Sequence, residues 1–73
     1  MFDRITSNPN ICHGQACVKG TRIPVFVVLD ALAAGMTAEQ IIAEYPHLTK
    51  EDIQACILYA SLIARGEEVL LGV

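Results

Sequence analysis

The chain has 73 residues, of which 53% are hydrophobic and 18% charged, and its net charge is −3. A domain of this size buries only ~60% of the surface its unfolded chain exposes, so so high an apolar content points to surfaces that another chain covers. The acidic balance excludes the strongly basic footprint of a general nucleic-acid binder. The longest apolar helical stretch, Val25 to Met36, is interrupted by Asp30 and Gly35 and falls short of the ~20 residues a membrane span needs.

The charge is unevenly placed. Residues 1–36 hold Arg4, Lys19 and Arg22 against Asp3 and Asp30, a balance of +1. Residues 37–73 hold Lys50 and Arg65 against Glu39, Glu44, Glu51, Asp52, Glu67 and Glu68, a balance of −4. The opening Met1-Phe2-Asp3-Arg4 has no basic region followed by an apolar run, so the expected compartment is the cytoplasm. Cys12, Cys17 and Cys56 are odd in number, which argues against a closed disulfide framework and for reduced thiols.

In chain order, residues 3–23 read as an extended, turn-rich ribbon. Arg4-Ile5-Thr6 and Ala16-Cys17-Val18 are short strand candidates that can pair, with Ser7-Asn8-Pro9-Asn10 as a turn between them. An isolated two-stranded ribbon is marginal, so this one is expected to lie on helices or on a partner. Pro24 then opens a first helix, with Val25, Val28, Leu29, Leu32 and Met36 on one face and Gly35 as its C-terminal cap. Thr37 with Gln40 forms a capping box for a second helix, which presents Ile41, Ile42 and Tyr45 and stops before Pro46. Thr49 with Asp52 starts a third, from Lys50 to Ala64 or Arg65, closed by Gly66. Residues 24–65 are therefore a three-helix core, residues 66–73 a tail, and the whole 1–73 a single domain.

The third helix carries two apolar stripes where a small monomer needs one. One is Ile53, Cys56, Ile57, Ala60 and Ala64; the other is Ala55, Leu58, Tyr59 and Leu62. Phe26 and Val27 lie off the main stripe of the first helix, and Val69, Leu70 and Leu71 make the tail apolar. These positions, Phe26, Val27, Leu58, Tyr59, Leu62, Val69, Leu70 and Leu71, are the candidate partner-binding residues, and a homodimer is expected.

Three motifs bear on chemistry. Cys12-His13-x-x-x-Cys17 contains metal-ligand residue types, but a structural zinc site takes four ligands and the fourth would have to be Cys56 or His47. Small half-buried thiols are the favoured reading, with no metal and no cofactor. Cysteine catalysis is disfavoured because Cys12 and His13, adjacent on an extended segment, point to opposite sides. With no phosphate loop, carboxylate pair or serine elbow, the chain is not expected to be an enzyme.

Lys19-Gly20-Thr21-Arg22-Ile23-Pro24 reads in two ways. It is an exposed basic hook, or Arg22 clamps the ribbon to the helices through Asp30 or Glu44; the clamp is favoured. Residues 37–64 have a helix-turn-helix outline, which makes Lys19, Arg22, Thr49, Lys50 and Gln54 the candidate DNA-binding residues. Glu51 and Asp52 in the same turn are expected to face phosphates and oppose this, or to complement the helix dipole.

The run Ile11-Cys12-His13-Gly14-Gln15-Ala16-Cys17-Val18-Lys19-Gly20-Thr21-Arg22-Ile23-Pro24-Val25 resembles the opening of domain-of-unknown-function family 433. Ala33-Ala34-Gly35-Met36-Thr37 and Glu44-Tyr45-Pro46-His47-Leu48-Thr49 continue the likeness, which covers residues 4–65. At His13 and Gln15-Ala16 the chain departs from many members, which have a second Gly or a Lys-Pro pair. The resemblance implies a mostly α fold: a homeodomain-like, three-helix helix-turn-helix bundle preceded by a short two-stranded β element. It also implies a prokaryotic or plasmid setting and an antitoxin that neutralises a PIN-like ribonuclease toxin and represses its own operon. The acidic, apolar segment from Glu67 to Val73 is expected to suit a basic ribonuclease cleft. A DNA-binding regulator without a toxin and a structural homodimer are the alternatives.

Overall fold

Proline and threonine set the boundaries of the helices. In the computed structural model, which describes residues 3–67, 69 and 71, two strands precede three helices. They are β1 (Ile5–Asn8), β2 (Ile11–Val18), α1 (Val25–Ala33), α2 (Ala38–Glu44) and α3 (Lys50–Ala64). This is the mostly helical architecture with an N-terminal antiparallel ribbon that the residue pattern predicts. Leu70, named above as a partner-binding residue, lies outside the described residues, as do Met1, Phe2, Glu68, Gly72 and Val73.

Pro24 stands at the N-cap of α1, with φ −64° already suited to entering a helix. Gly35 follows the helix at φ +94°, a left-handed conformation that glycine adopts without a Cβ penalty. α2 and α3 both open with complete capping boxes. The Gln40 amide N–H donates to Thr37 Oγ1 at 3.1 Å while Gln40 Oε1 accepts from the Thr37 N–H at 2.8 Å. The Asp52 N–H donates to Thr49 Oγ1 at 3.2 Å, and Asp52 Oδ2 accepts from the Thr49 N–H at 3.0 Å. α2 ends at Tyr45, whose backbone leaves the helical region ahead of Pro46.

The core takes one or two side chains from every element. Ile5 and Val18 come from the ribbon, Val25 and Val28 from α1, Ile41 from α2, Leu48 from the turn, and Ile53 and Cys56 from α3. Burying an aliphatic side chain of this size contributes roughly 1.5–3 kcal/mol, so the ribbon is held by the helices it covers. On α3 the core side centres on Asp52, Ile53 and Cys56. Ile57, grouped in the sequence with Ile53 and Cys56, is exposed instead. The stripe is too wide for one core: each residue turns the helix ~100°, and Ile57 has rotated out past the edge of the contact with α1 and α2.

The ribbon departs from a plain hairpin. Ile5 pairs with Val18, Thr6 with Cys17 and Ser7 with Ala16, but the next pair is Asn8 with Ile11. Cys12 to Gln15 therefore have no partners on β1. Cys12 and His13 both take φ 55° and Gly14 takes φ 80°, three successive left-handed residues. They fold the strand back on itself, and Ser7 Oγ donates to the Gly14 carbonyl at 2.6 Å to hold the excursion. The extended geometry expected for Cys12-His13 is thus replaced by a left-handed turn. Two non-glycine residues in that region cost of order 1 kcal/mol or more each.

Candidate partner-binding face and the ribbon loops

Where α1, α3 and β2 meet, side chains leave an open apolar groove of ≈ 250 Å³, lined by Gln15, Ala16, Val25, Phe26, Leu29 and Tyr59. Phe26 beside it is 50% exposed, Leu58 on α3 is also 50% exposed, and Ile57 and Ile63 are exposed as well. A single exposed leucine needs no explanation, but four large apolar side chains on two helices of a domain this small do. The other candidate partner residues are less available. Val27, Leu62 and Val69 are half-buried, and Tyr59 and Leu71 pack against the chain's own core. Ile57 and Ile63 belong to the exposed set although periodicity gave no reason to single them out as partner-binding; only the tilt of α3 on the core decides this.

The Lys19–Arg22 loop is tied down through Thr21. The Thr21 N–H and Oγ1 both donate to the Val18 carbonyl, at 3.0 and 2.7 Å, and Thr21 Oγ1 accepts from the Ile23 N–H at 3.0 Å. Lys19, Gly20 and Arg22 are exposed around this anchor. Gly20, at φ +81°, closes the bend.

The clamp expected of Arg22 is made by Arg4. The Arg4 guanidinium meets Asp52 Oδ1 at 3.0 Å, joining the entrance of β1 to the first turn of α3. Arg22 forms no ion pair with any described carboxylate. It sits on the solvent side of the hook, whereas Arg4 enters β1 against α3. Asp52 is accordingly only 8% exposed. It faces inward, satisfied by Arg4 and Thr49, and does not project toward a phosphate as its sequence position suggests.

At the start of α3 the candidate DNA-reading residues are all exposed, but two are already occupied. Thr49 is the cap, and Lys50 Nζ lies 3.2 Å from Glu39 Oε2 on α2. Its own backbone N–H and then Lys50 hold the Glu39 carboxyl below the ordinary range. Gln54 projects free of the core, with Glu51 beside it.

The left-handed turn brings Cys12 to Cys17, with their sulfurs 3.1 Å apart. All three cysteines are free thiols. Cys12 Sγ also donates to the Arg22 carbonyl at 3.2 Å, and Cys17 Sγ to the Thr21 carbonyl at 3.3 Å. Burial, and then the thiol of Cys12, push the Cys17 thiol up to about 11. Burial, and then the charges of Asp52 and Cys17, push Cys56 up to about 11. Among the described residues no three His, Cys, Asp or Glu side chains converge as a metal site would require. No described helix is long and apolar enough to cross a membrane.

The fold and its exposed surfaces define a small three-helix domain carrying an N-terminal ribbon and an open apolar groove. Residues 5–60 match the family described as "Protein of unknown function (DUF433)", and the chain belongs to that family. It is similar to the uncharacterized protein y4eO of Sinorhizobium fredii (strain NBRC 101917 / NGR234). The two are 39% identical over 56 residues, which make up 77% of this chain and 25% of that protein. The crystal structure of a DUF433 member from Anabaena variabilis superposes with a TM-score of 0.80 at 33% identity, covering 88% of this chain and 63% of that one. The chain thus spans a quarter of the curated relative and under two thirds of the solved one.

Proposed function

We propose that this domain is a protein-binding module without catalytic activity, acting as the antitoxin of a toxin–antitoxin pair. Its partner is a PIN-like ribonuclease. The observation that carries this reading is the open apolar groove lined by Phe26, Leu29 and Tyr59, with Phe26 50% exposed at it, together with Leu58, 50% exposed on α3. Large apolar anchors at the centre of a face are what dominates protein–protein binding energy. The acidic balance of residues 37–73 adds charge complementary to an RNA-binding cleft. The family resemblance supplies the class of partner.

The test is inhibition of a PIN-like ribonuclease, sought first beside this gene, measured as RNA cleavage with increasing amounts of the chain. Stoichiometric inhibition is expected, and Phe26→Asp with Leu58→Asp should weaken it at least ~100-fold, the loss of two anchors at ~1.4 kcal/mol or more each. Circular dichroism checks that the double variant remains helical. Cleavage that continues unchanged at excess chain refutes the antitoxin reading. If the isolated chain instead sediments as a dimer that the double variant dissolves, the face belongs to a second copy.

Binding to its own operator is the second reading, favoured by the inward turn of Asp52, which pairs one of the two negative charges at the start of α3 with Arg4. Lys50→Ala and Gln54→Ala are then expected to weaken a gel shift with the upstream DNA. Lys50 should reduce the salt slope by about one and Gln54 should relax sequence preference. Equal binding by all three chains removes this reading.

A further inference from the structure

Cys12 and Cys17 lie five residues apart on one strand, a separation that a regular strand stretches to ~16 Å. Here their sulfurs are 3.1 Å apart. The approach is produced by Cys12, His13 and Gly14 in left-handed conformations, two of them at residues that resist it. The excursion is further pinned by the Ser7–Gly14 hydrogen bond. A disulfide needs sulfurs ~2.05 Å apart, so closure requires a movement of only about 1 Å. The two thiols also differ in access: Cys12 is half-buried, whereas Cys17 is 1% exposed.

We propose that Cys12 and Cys17 form a reversible oxidation site, a dithiol that the fold holds ready to close on reaction with a low-molecular-mass disulfide. Cys12 is the entry thiol. Having lost its proton to solvent, its sulfur attacks one sulfur of the small disulfide, whose S–S bond breaks and whose other half leaves as a thiolate. Cys17 then gives up its proton and attacks Cys12 Sγ in the mixed disulfide, releasing the second small thiol. The protein loses two electrons and two protons, and the small disulfide is reduced to two thiols. Closure removes both S–H donors, so the carbonyls of Thr21 and Arg22 lose the bonds by which the sulfurs hold the Lys19–Arg22 hook. The oxidation site thereby reaches the basic loop, and the segment it closes also carries Gln15 and Ala16 of the apolar groove.

Equilibration of the full chain with mixtures of reduced and oxidised glutathione, followed by acid quenching and mass mapping, tests this. Cys12 and Cys17 fall in one tryptic peptide, residues 5–19, and Cys56 falls in another. The expected result is a 5–19 peptide lighter by two hydrogens, restored by excess reduced glutathione, with Cys56 still free. Because a short loop also closes in an unfolded chain, the same equilibrium is measured in concentrated urea. The native chain should hold the disulfide about tenfold more strongly, the advantage of a preorganised pair. A native preference no greater than that in urea overturns the proposal. So does glutathione left on Cys12 as a stable mixed disulfide, or chains cross-linked to each other. In Cys12→Ser, Cys17 should remain reduced under the same buffer, and glutathione on Cys17 would overturn the assignment of Cys12 as entry thiol.

Discussion

Raising the pH from 9 to 11 under reducing conditions should destabilise this domain by several kcal/mol. Cys17 and Cys56 are buried as neutral thiols, and both are pushed from an ordinary value of 9.0 up to about 11. Their folded pKa lies above the unfolded one, so the stability they carry is fully present below pH 9. Between pH 9 and 11 the unfolded chain releases these protons and the folded chain does not, and stability falls with pH. Two pKa units correspond to roughly 2–3 kcal/mol per thiol. A 73-residue domain has roughly 4–11 kcal/mol in all, so losses of this size remove a large share of it. Urea unfolding at pH 7, 9, 10 and 11 measures this directly. Cys56→Ala, which keeps a small apolar side chain at the site, should lose about half of the slope. A stability that stays level to pH 10.5 would contradict it.

Asp52→Ala is expected to lower stability by about 1–2 kcal/mol, and Arg22→Ala by less than ~0.5 kcal/mol. Asp52 does two jobs with two oxygens: one closes the capping box of α3, the other holds Arg4. Losing this reciprocal half of the box, while Thr49 Oγ1 still accepts from the backbone N–H of residue 52, costs up to ~1 kcal/mol. The ion pair adds up to ~1 kcal/mol, kept low because the Arg4 side chain is 48% exposed and solvent screens it. In a domain of this size each kcal/mol moves the Tm by roughly 4–8 °C, so the Asp52 variant should melt about 4–16 °C lower. Arg4→Ala should fall between the two. Equal melting of the Arg22 and Asp52 variants would mean that the clamp is not where Arg4 and Asp52 put it.

The helices were legible in the sequence because their ends are written in local chemistry. Thr37 with Gln40, and Thr49 with Asp52, satisfy backbone N–H groups within four residues, and Pro24 and Pro46 act on their immediate neighbours. The ribbon loops were not legible in the same way. Nothing in Cys12-His13 signals a left-handed backbone, since only Gly14 favours it; the turn exists because Ser7, Thr21 and the core around Val18 constrain both ends. The choice between Arg4 and Arg22 depends on which one the fold sets against α3, and that is decided by tertiary packing rather than by spacing. The apolar surplus was visible in the composition, but its placement on Phe26, Ile57, Leu58 and Ile63 follows from how α1 and α3 rotate onto the core.

The same left-handed excursion bears on how copies of this chain can meet. A two-stranded ribbon has open edges, and a straight open edge invites another strand to add to it, the usual first step of sheet aggregation. In β2 the regular ladder lasts only from Ala16 to Val18 before the backbone turns away, and Cys17 is bridged on its other side by Pro24, which has no N–H to offer. The run of straight backbone is too short to act as a template. The edge of β2 therefore offers an approaching strand almost no main chain to pair with, a protection written into the backbone rather than into any charged side chain.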